Sequence, residues 1–116
     1  MLNVKRVYEP LSKDDGYRIL VDRIWPRGFT KKRAHVDEWR KDLAPSDALR
    51  KWFRHDPEKW EEFRRRYRAE LEKAGKWADL RAIAERAKKQ NVTLVFSAKD
   101  QARNQAVALK EMVLAP

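Results

Sequence analysis

The sequence predicts an α/β fold: a small parallel-rich sheet of three to four strands covered by helices on both faces. Three observations carry this expectation. Val92-Thr93-Leu94-Val95-Phe96 is a continuous apolar, β-branched run of strand length, the pattern of a strand buried on both faces. Segments with apolar residues three and four apart separate it from two strand-like segments near the N-terminus. Strands that alternate with helices are joined by crossovers, which makes neighbouring strands parallel and the connections right-handed. The 116 residues suit a single domain over 1–116, long enough to bury a core without disulfides.

Val4-Lys5-Arg6-Val7-Tyr8 alternates apolar and basic residues and ends at Glu9-Pro10, which suits a first strand that lies at an edge or is covered on one face. Residues 12–16 form a turn. Tyr17 to Trp25 has an apolar centre and is expected to be a central strand, stopped by Pro26, Arg27 and Gly28. His35 to Lys41 alternates weakly and is taken as a short third strand, closed by Leu43-Ala44-Pro45. Ser46 is placed to cap a short helix presenting Leu49, Trp52 and Phe53. Asp56 and Pro57 start the next helix, where the missing proline N–H costs nothing. Along it Trp60, Phe63, Tyr67 and Leu71 form one stripe and Gly75 ends it. Trp77, Leu80, Ile83, Ala84 and Ala87 mark a further helix before residues 92–96. A last helix through Ala102, Ala106, Leu109 and Val113 is expected to be capped by Asp100.

Composition excludes some chemistry. With no cysteine, thiolate metal sites, disulfides and cysteine nucleophiles are out of reach. His35 and His55 share no metal-ligand spacing, so no metal and no cofactor are expected; His55, just before Asp56-Pro57, suits a helix-end capping role or acid–base work. No apolar run approaches the roughly 20 residues of a membrane span. The N-terminus lacks the pattern of a secretory signal, so a cytoplasmic location is expected. The net charge of +10 raises the question of a polyanionic partner. It is spread as +2, +2, +3 and +3 over residues 1–30, 31–45, 46–76 and 77–116, without a basic tail. With 40% charged residues of both signs, a surface laced with ion pairs accounts for much of it. Arg64 to Arg66 point in different directions around their helix and suit a solvated face.

In an open parallel sheet ligands bind beyond the carboxyl ends of the strands, so the loops after each strand are the place to look. After the second strand, Asp22, Arg23, Trp25, Arg27 and Gly28 supply a carboxylate, two guanidinium forks, a ring able to stack and a glycine that lets backbone approach closely. After the last strand, Ser97, Lys99, Asp100 and Asn104 supply a hydroxyl, a cation and a helix start. Lys41 joins these as a further cation. Each piece also has a purely structural use. Asp22 and Arg23 suit a loop-fixing ion pair, Asp100 a simple cap, and Ser97 a strand-end residue with no histidine near it in sequence to act as a base.

The strings VDRIWPRG (21–28), KDLAPS (41–46), LRKWFRHDPEKWEEFRRRY (49–67) and VTLVFSAKD (92–100), followed by Asn104 and Ala106, together resemble the YeaO-like group within a bacterial and archaeal domain-of-unknown-function family. The resemblance covers nearly the whole chain. It implies no established activity. A related branch of the wider family is similar at the strand-end Asp-x-Arg but carries a cysteine in the last strand region and a Cys-His-Arg further on. Here the stretch reads Phe96-Ser97-Ala98-Lys99-Asp100, then Arg103-Asn104-Gln105, so thiol chemistry does not carry over. Asp22, Arg23, Pro26, Arg27, Gly28, Lys41, Asp42, Ser46, Lys99, Asp100 and Asn104 survive the comparison. The functional expectation is a small-molecule anion site for a phosphate- or nucleotide-like ligand, with Asp22 as acid or base if catalysis occurs. A basic nucleic-acid-binding or regulatory module is the alternative, and the oligomeric state is open.

Overall fold

The computed structural model of the chain describes residues 1–115. Four strands, β1 (Leu2–Arg6), β2 (Tyr17–Leu20), β3 (Glu38–Trp39) and β4 (Val92–Phe96), pair in parallel in the order β1-β4-β2-β3. Five α-helices accompany them: α1 (Lys31–Ala34), α2 (Asp47–Phe53), α3 (Trp60–Lys73), α4 (Trp77–Lys89) and α5 (Gln105–Leu114). The parallel α/β class is as expected, and β4 lies inside the sheet with all five residues buried. Its register pairs Val92 with Leu2 on one side and with Tyr17 on the other.

Alternation along the strands divides the core in two. Ile19, Val21, Val92, Leu94 and Phe96 join one large cluster with the apolar faces of α2 to α5, including Phe53, Phe63, Tyr67, Leu80 and Leu109. Leu20 and Val95 turn to the other face, where Val7, Ala34, Trp25, Phe29 and Val36 form a smaller cluster under α1 and its flanking loops. Both faces are covered, but unequally.

The thinner face is fixed by a polar network. Buried Arg18 donates to Asp15 Oδ2 at 2.6 Å, to the His35 carbonyl at 2.8 Å and to the Ala34 carbonyl at 3.1 Å. Lys5 donates to Asp15 Oδ1 at 3.0 Å, and Thr93 Oγ1 donates to the Asp15 carbonyl at 2.7 Å. Burial pushes the Asp15 carboxyl up, but Lys5, the Ser12 N–H and Arg18 together outweigh it and hold the pKa below the usual carboxylate value.

Several boundaries differ from the sequence expectation. β1 lies two residues earlier, although Val7 still donates to the Phe96 carbonyl at 2.7 Å. β2 ends at Leu20, one last ladder bond runs from Val21 N–H to the Val95 carbonyl, and the chain then turns at Asp22, leaving Ile24 59% exposed. The apolar letters of Ile24 and Trp25 belong to a loop, which Trp25 pins by donating its indole N–H to the Phe29 carbonyl at 2.6 Å. α1 has no apolar stripe long enough to announce it; Thr30 caps it through the Arg33 N–H.

The caps of the longer helices follow the sequence more closely. Ser46 accepts from the Leu49 N–H at 3.1 Å. Asp56 caps a single 3-10 turn over Pro57–Lys59 that leads into α3. Beyond α3, Gly75 takes φ 71° and Lys76 N–H returns to the Leu71 carbonyl, closing the helix in the left-handed way glycine permits. Asp100, however, does not cap the last helix. Asn104 does, accepting from the Val107 N–H at 3.0 Å, while Asp100 folds a turn of its own onto the N–H groups of Ala102 and Arg103. Asn104 is almost wholly buried and its amide donates to the Asp100 carbonyl, which locks the turn ahead of α5 and leaves Ala102 outside the helix.

Candidate functional site

The loops that follow β1, β2 and β4 meet at the carboxyl edge of the sheet and, with α2 and the start of α5, enclose a cavity of about 420 Å³. Asp22, Arg23, Trp25 and Arg27 line it from the second loop, and Ser97 and Lys99 from the last. Gly28, Lys41, Asp100 and Asn104 do not line it. Gly28 serves the loop backbone with φ 85°. Lys41 sits in a 3-10 turn with its Nζ 5.3 Å from the centre of the Trp39 ring, a cation–π contact. Asp100 and Asn104 are occupied in shaping the turn before α5.

Four lining residues with a cationic, imidazole or amide side chain were not among the sequence candidates for the site: Arg6, Arg50, His55 and Gln105. Arg6 ends β1, so the rule of inspecting the loop after each strand reaches it once applied to the first strand too. It ties two strand ends together, donating from Nε to the Ala98 carbonyl at 2.8 Å and from Nη2 to the Ser97 carbonyl at 3.1 Å. Gln105 is the first residue of α5 and is oriented by the Asn104 cap. Arg50 and His55 come from α2 and the turn after it, where no local pattern signals a site. His55 stands at φ 57° with its ring 5.9 Å from that of Phe53.

The charges around the cavity are unequal: Arg6, Arg23, Arg27, Arg50 and Lys99 against the single carboxylate of Asp22. Asp22 pairs with neither Arg23 nor Arg27. Arg23 and Arg50 instead share Asp47, at 3.4 and 3.2 Å. Among the described residues, Arg27 and Lys99 have no carboxylate within ion-pairing distance. The basic residues of α3 differ in this respect. Arg64, Arg65, Arg66 and Arg68 pair with Glu61, Glu111, Glu62 and Glu72, so that helix face is charge-balanced.

Asp22 is 6% exposed. Its Oδ1 accepts from the Gln105 side-chain amide, while no donor of the described residues reaches Oδ2. A buried acceptor left without a donor costs of order 1–3 kcal/mol. Burial pushes the Asp22 carboxyl above the usual carboxylate value, and Ser97, close beside it, and Gln105 only partly oppose this, Ser97 without reaching hydrogen-bond geometry at Oδ2. The aromatic wall is firmer: Trp25 meets Trp39 edge-on at 5.3 Å, and the exposed ring of Tyr8 carries the Arg6 guanidinium 4.7 Å from its centre. Together these groups offer cations at the rim, a ring wall and one buried carboxyl at the same cavity. No group of three or more His, Asp or Glu among the described residues could hold a metal ion, and no helix among them is long and apolar enough to cross a membrane.

Comparison with known proteins gives whole-chain relatives. Residues 1–116 match the family described as "Inactive DUF488-N3 subclade". The uncharacterized protein YeaO of Escherichia coli is 45% identical over 113 residues, covering 95% of this chain and 94% of its own. The uncharacterized protein Rv3073c of Mycobacterium tuberculosis is 43% identical over 112 residues, covering 97% of this chain and 92% of its own. No solved structure matches.

Proposed function

The chain belongs to the inactive DUF488-N3 subclade, and from that premise we propose that it is a binding module which holds a small anionic, phosphate-like ligand at the carboxyl edge of its sheet without turning it over. The observation that carries this is the charge of the cavity: five cationic side chains converge there, and Arg27 and Lys99 have no carboxylate partner among the described residues. Guanidinium forks suit phosphate and carboxylate oxygens, and a walled cavity strengthens such contacts relative to open water. The description of the family as inactive supports binding in place of catalysis. The relatives' names assign no substrate.

The test is a thermal-shift titration with pyrophosphate on the wild-type protein and on Arg27→Ala. Arg27 is exposed, so the substitution is expected to leave the ligand-free midpoint within about 0.5 kcal/mol of wild type. A ligand at 100 times its Kd adds about 2.7 kcal/mol, enough to raise the midpoint by many degrees in a domain of this size. The wild type is expected to show that rise at moderate salt and the variant to lose most of it. An undiminished rise in Arg27→Ala rejects this cavity as the site. A rise only with DNA or RNA at low salt places the positive charge in non-specific polyanion attraction.

A further inference from the structure

Asp22 sets a condition on the ligand that the cations alone do not. It is the one carboxylate among the lining residues, whose other charged members, Arg6, Arg23, Arg27, Arg50 and Lys99, are cations; it is more than nine-tenths buried, and its Oδ2 receives no donor from the described residues. Gln105 holds Oδ1 and thereby fixes the orientation of the carboxyl. A bare anion presents only acceptor oxygens. Those oxygens suit Arg27 and Lys99, but against Asp22 they set acceptor facing acceptor and like charge facing like charge. With Asp22 ionised, a ligand that fills the cavity without this conflict has to offer it an N–H or O–H.

We infer that the cavity selects a bifunctional anion, a phosphate monoester whose own hydroxyl or amino group donates to the Asp22 carboxylate while its phosphate meets Arg27 and Lys99. This rests on the anion-binding function proposed above. Sugar phosphates and nucleotides share the required chemistry. The wall formed by Trp25 and the exposed Tyr8 ring can carry either a sugar face or a base.

The experiment is calorimetric titration at pH 8, where phosphate monoesters are dianions without a P–OH donor. Three probes are used: propyl phosphate, ribose 5-phosphate and adenosine 5′-monophosphate. The wild-type protein is expected to bind the two hydroxylated probes at least tenfold more tightly than propyl phosphate. The tighter of the two identifies the source, sugar phosphate or nucleotide. Asp22→Asn, which places an amide where Oδ2 stands, is expected to lose that preference, with propyl phosphate bound as well as or better than by wild type. Equal affinity for all three probes in the wild type overturns the inference while leaving anion binding intact. Binding of none of them removes the inference and the proposed function together. A preference that survives in Asp22→Asn assigns the selection to groups other than Asp22 and also overturns it. The wild-type comparison stands without the variant, so a variant that fails to fold does not decide the outcome.

Discussion

Arg18→Ala is expected to cost roughly 3–5 kcal/mol, the range found when one partner of a buried ion pair is removed. The guanidinium does more than pair with Asp15. It also satisfies the carbonyls of Ala34 and His35, which close α1 and start the chain toward β3. Without it, Asp15 retains Lys5, but two carbonyls are left without that donor on the thinner face of the sheet. Against a typical domain stability of about 5–15 kcal/mol this loss leaves little reserve. Urea denaturation reads it directly as a lower midpoint with an unchanged slope. Arg65→Ala is the control: its ion pair with Glu62 is solvent-exposed, and a change within about 0.5 kcal/mol is expected. A loss below about 1 kcal/mol for Arg18→Ala contradicts the structural role assigned to the network.

The second large effect is expected from Gly16→Ala. Gly16 has φ 63° and ψ −133°, a combination that disfavours any side chain. An added Cβ falls 2.0 Å from the Asn91 carbonyl oxygen and 2.7 Å from its carbon. Both are backbone atoms, and Tyr17 N–H donates to the same carbonyl at 2.9 Å, so the clash cannot be relieved without disturbing the entry of β2 beside β4. Backbone strain and overpacking each cost of order 1–3 kcal/mol, and here they add. A midpoint well below wild type is expected in the same urea assay. Gly28→Ala separates the two terms: its φ is also positive, but an added Cβ there meets nothing within 4 Å, so only the conformational part remains. Equal losses at the two glycines contradict the clash.

The parallel sheet and the long helices were legible because their signals are local and repeated. The run Val92 to Phe96, the stripe Phe63-Tyr67-Leu71 and the Ser46 and Gly75 punctuation each follow from side-chain periodicity or cap chemistry within a few residues. What failed was local too, but ambiguous. Ile24 and Trp25 carry strand letters in a loop because Trp25 is anchored by a single bond to Phe29, a contact no periodicity encodes. Asp100 and Asn104 are both good caps four residues apart, and only the burial of Asn104 decides between them. For the cavity, the strand-end rule found the loop residues Asp22, Arg23, Trp25, Arg27, Ser97 and Lys99, which tertiary packing brings together. Lys41 does not line the cavity: it follows a two-residue strand, and its Nζ lies over the Trp39 ring. The rule missed Arg50 and His55 because a helix facing a sheet edge leaves no mark in the spacing of either.

The proposed function puts the anion in the cationic cavity at the strand ends and not on the basic surface at large. Nuclear magnetic resonance of the 15N-labelled protein, titrated with pyrophosphate at moderate salt, tests it most directly. Saturable shifts confined to residues 21–28 and 97–105, with the side-chain signals of Arg6 and Arg27, are the predicted result. Shifts that do not saturate, or that spread over Arg64 to Arg68 and the other exposed basic residues, contradict it.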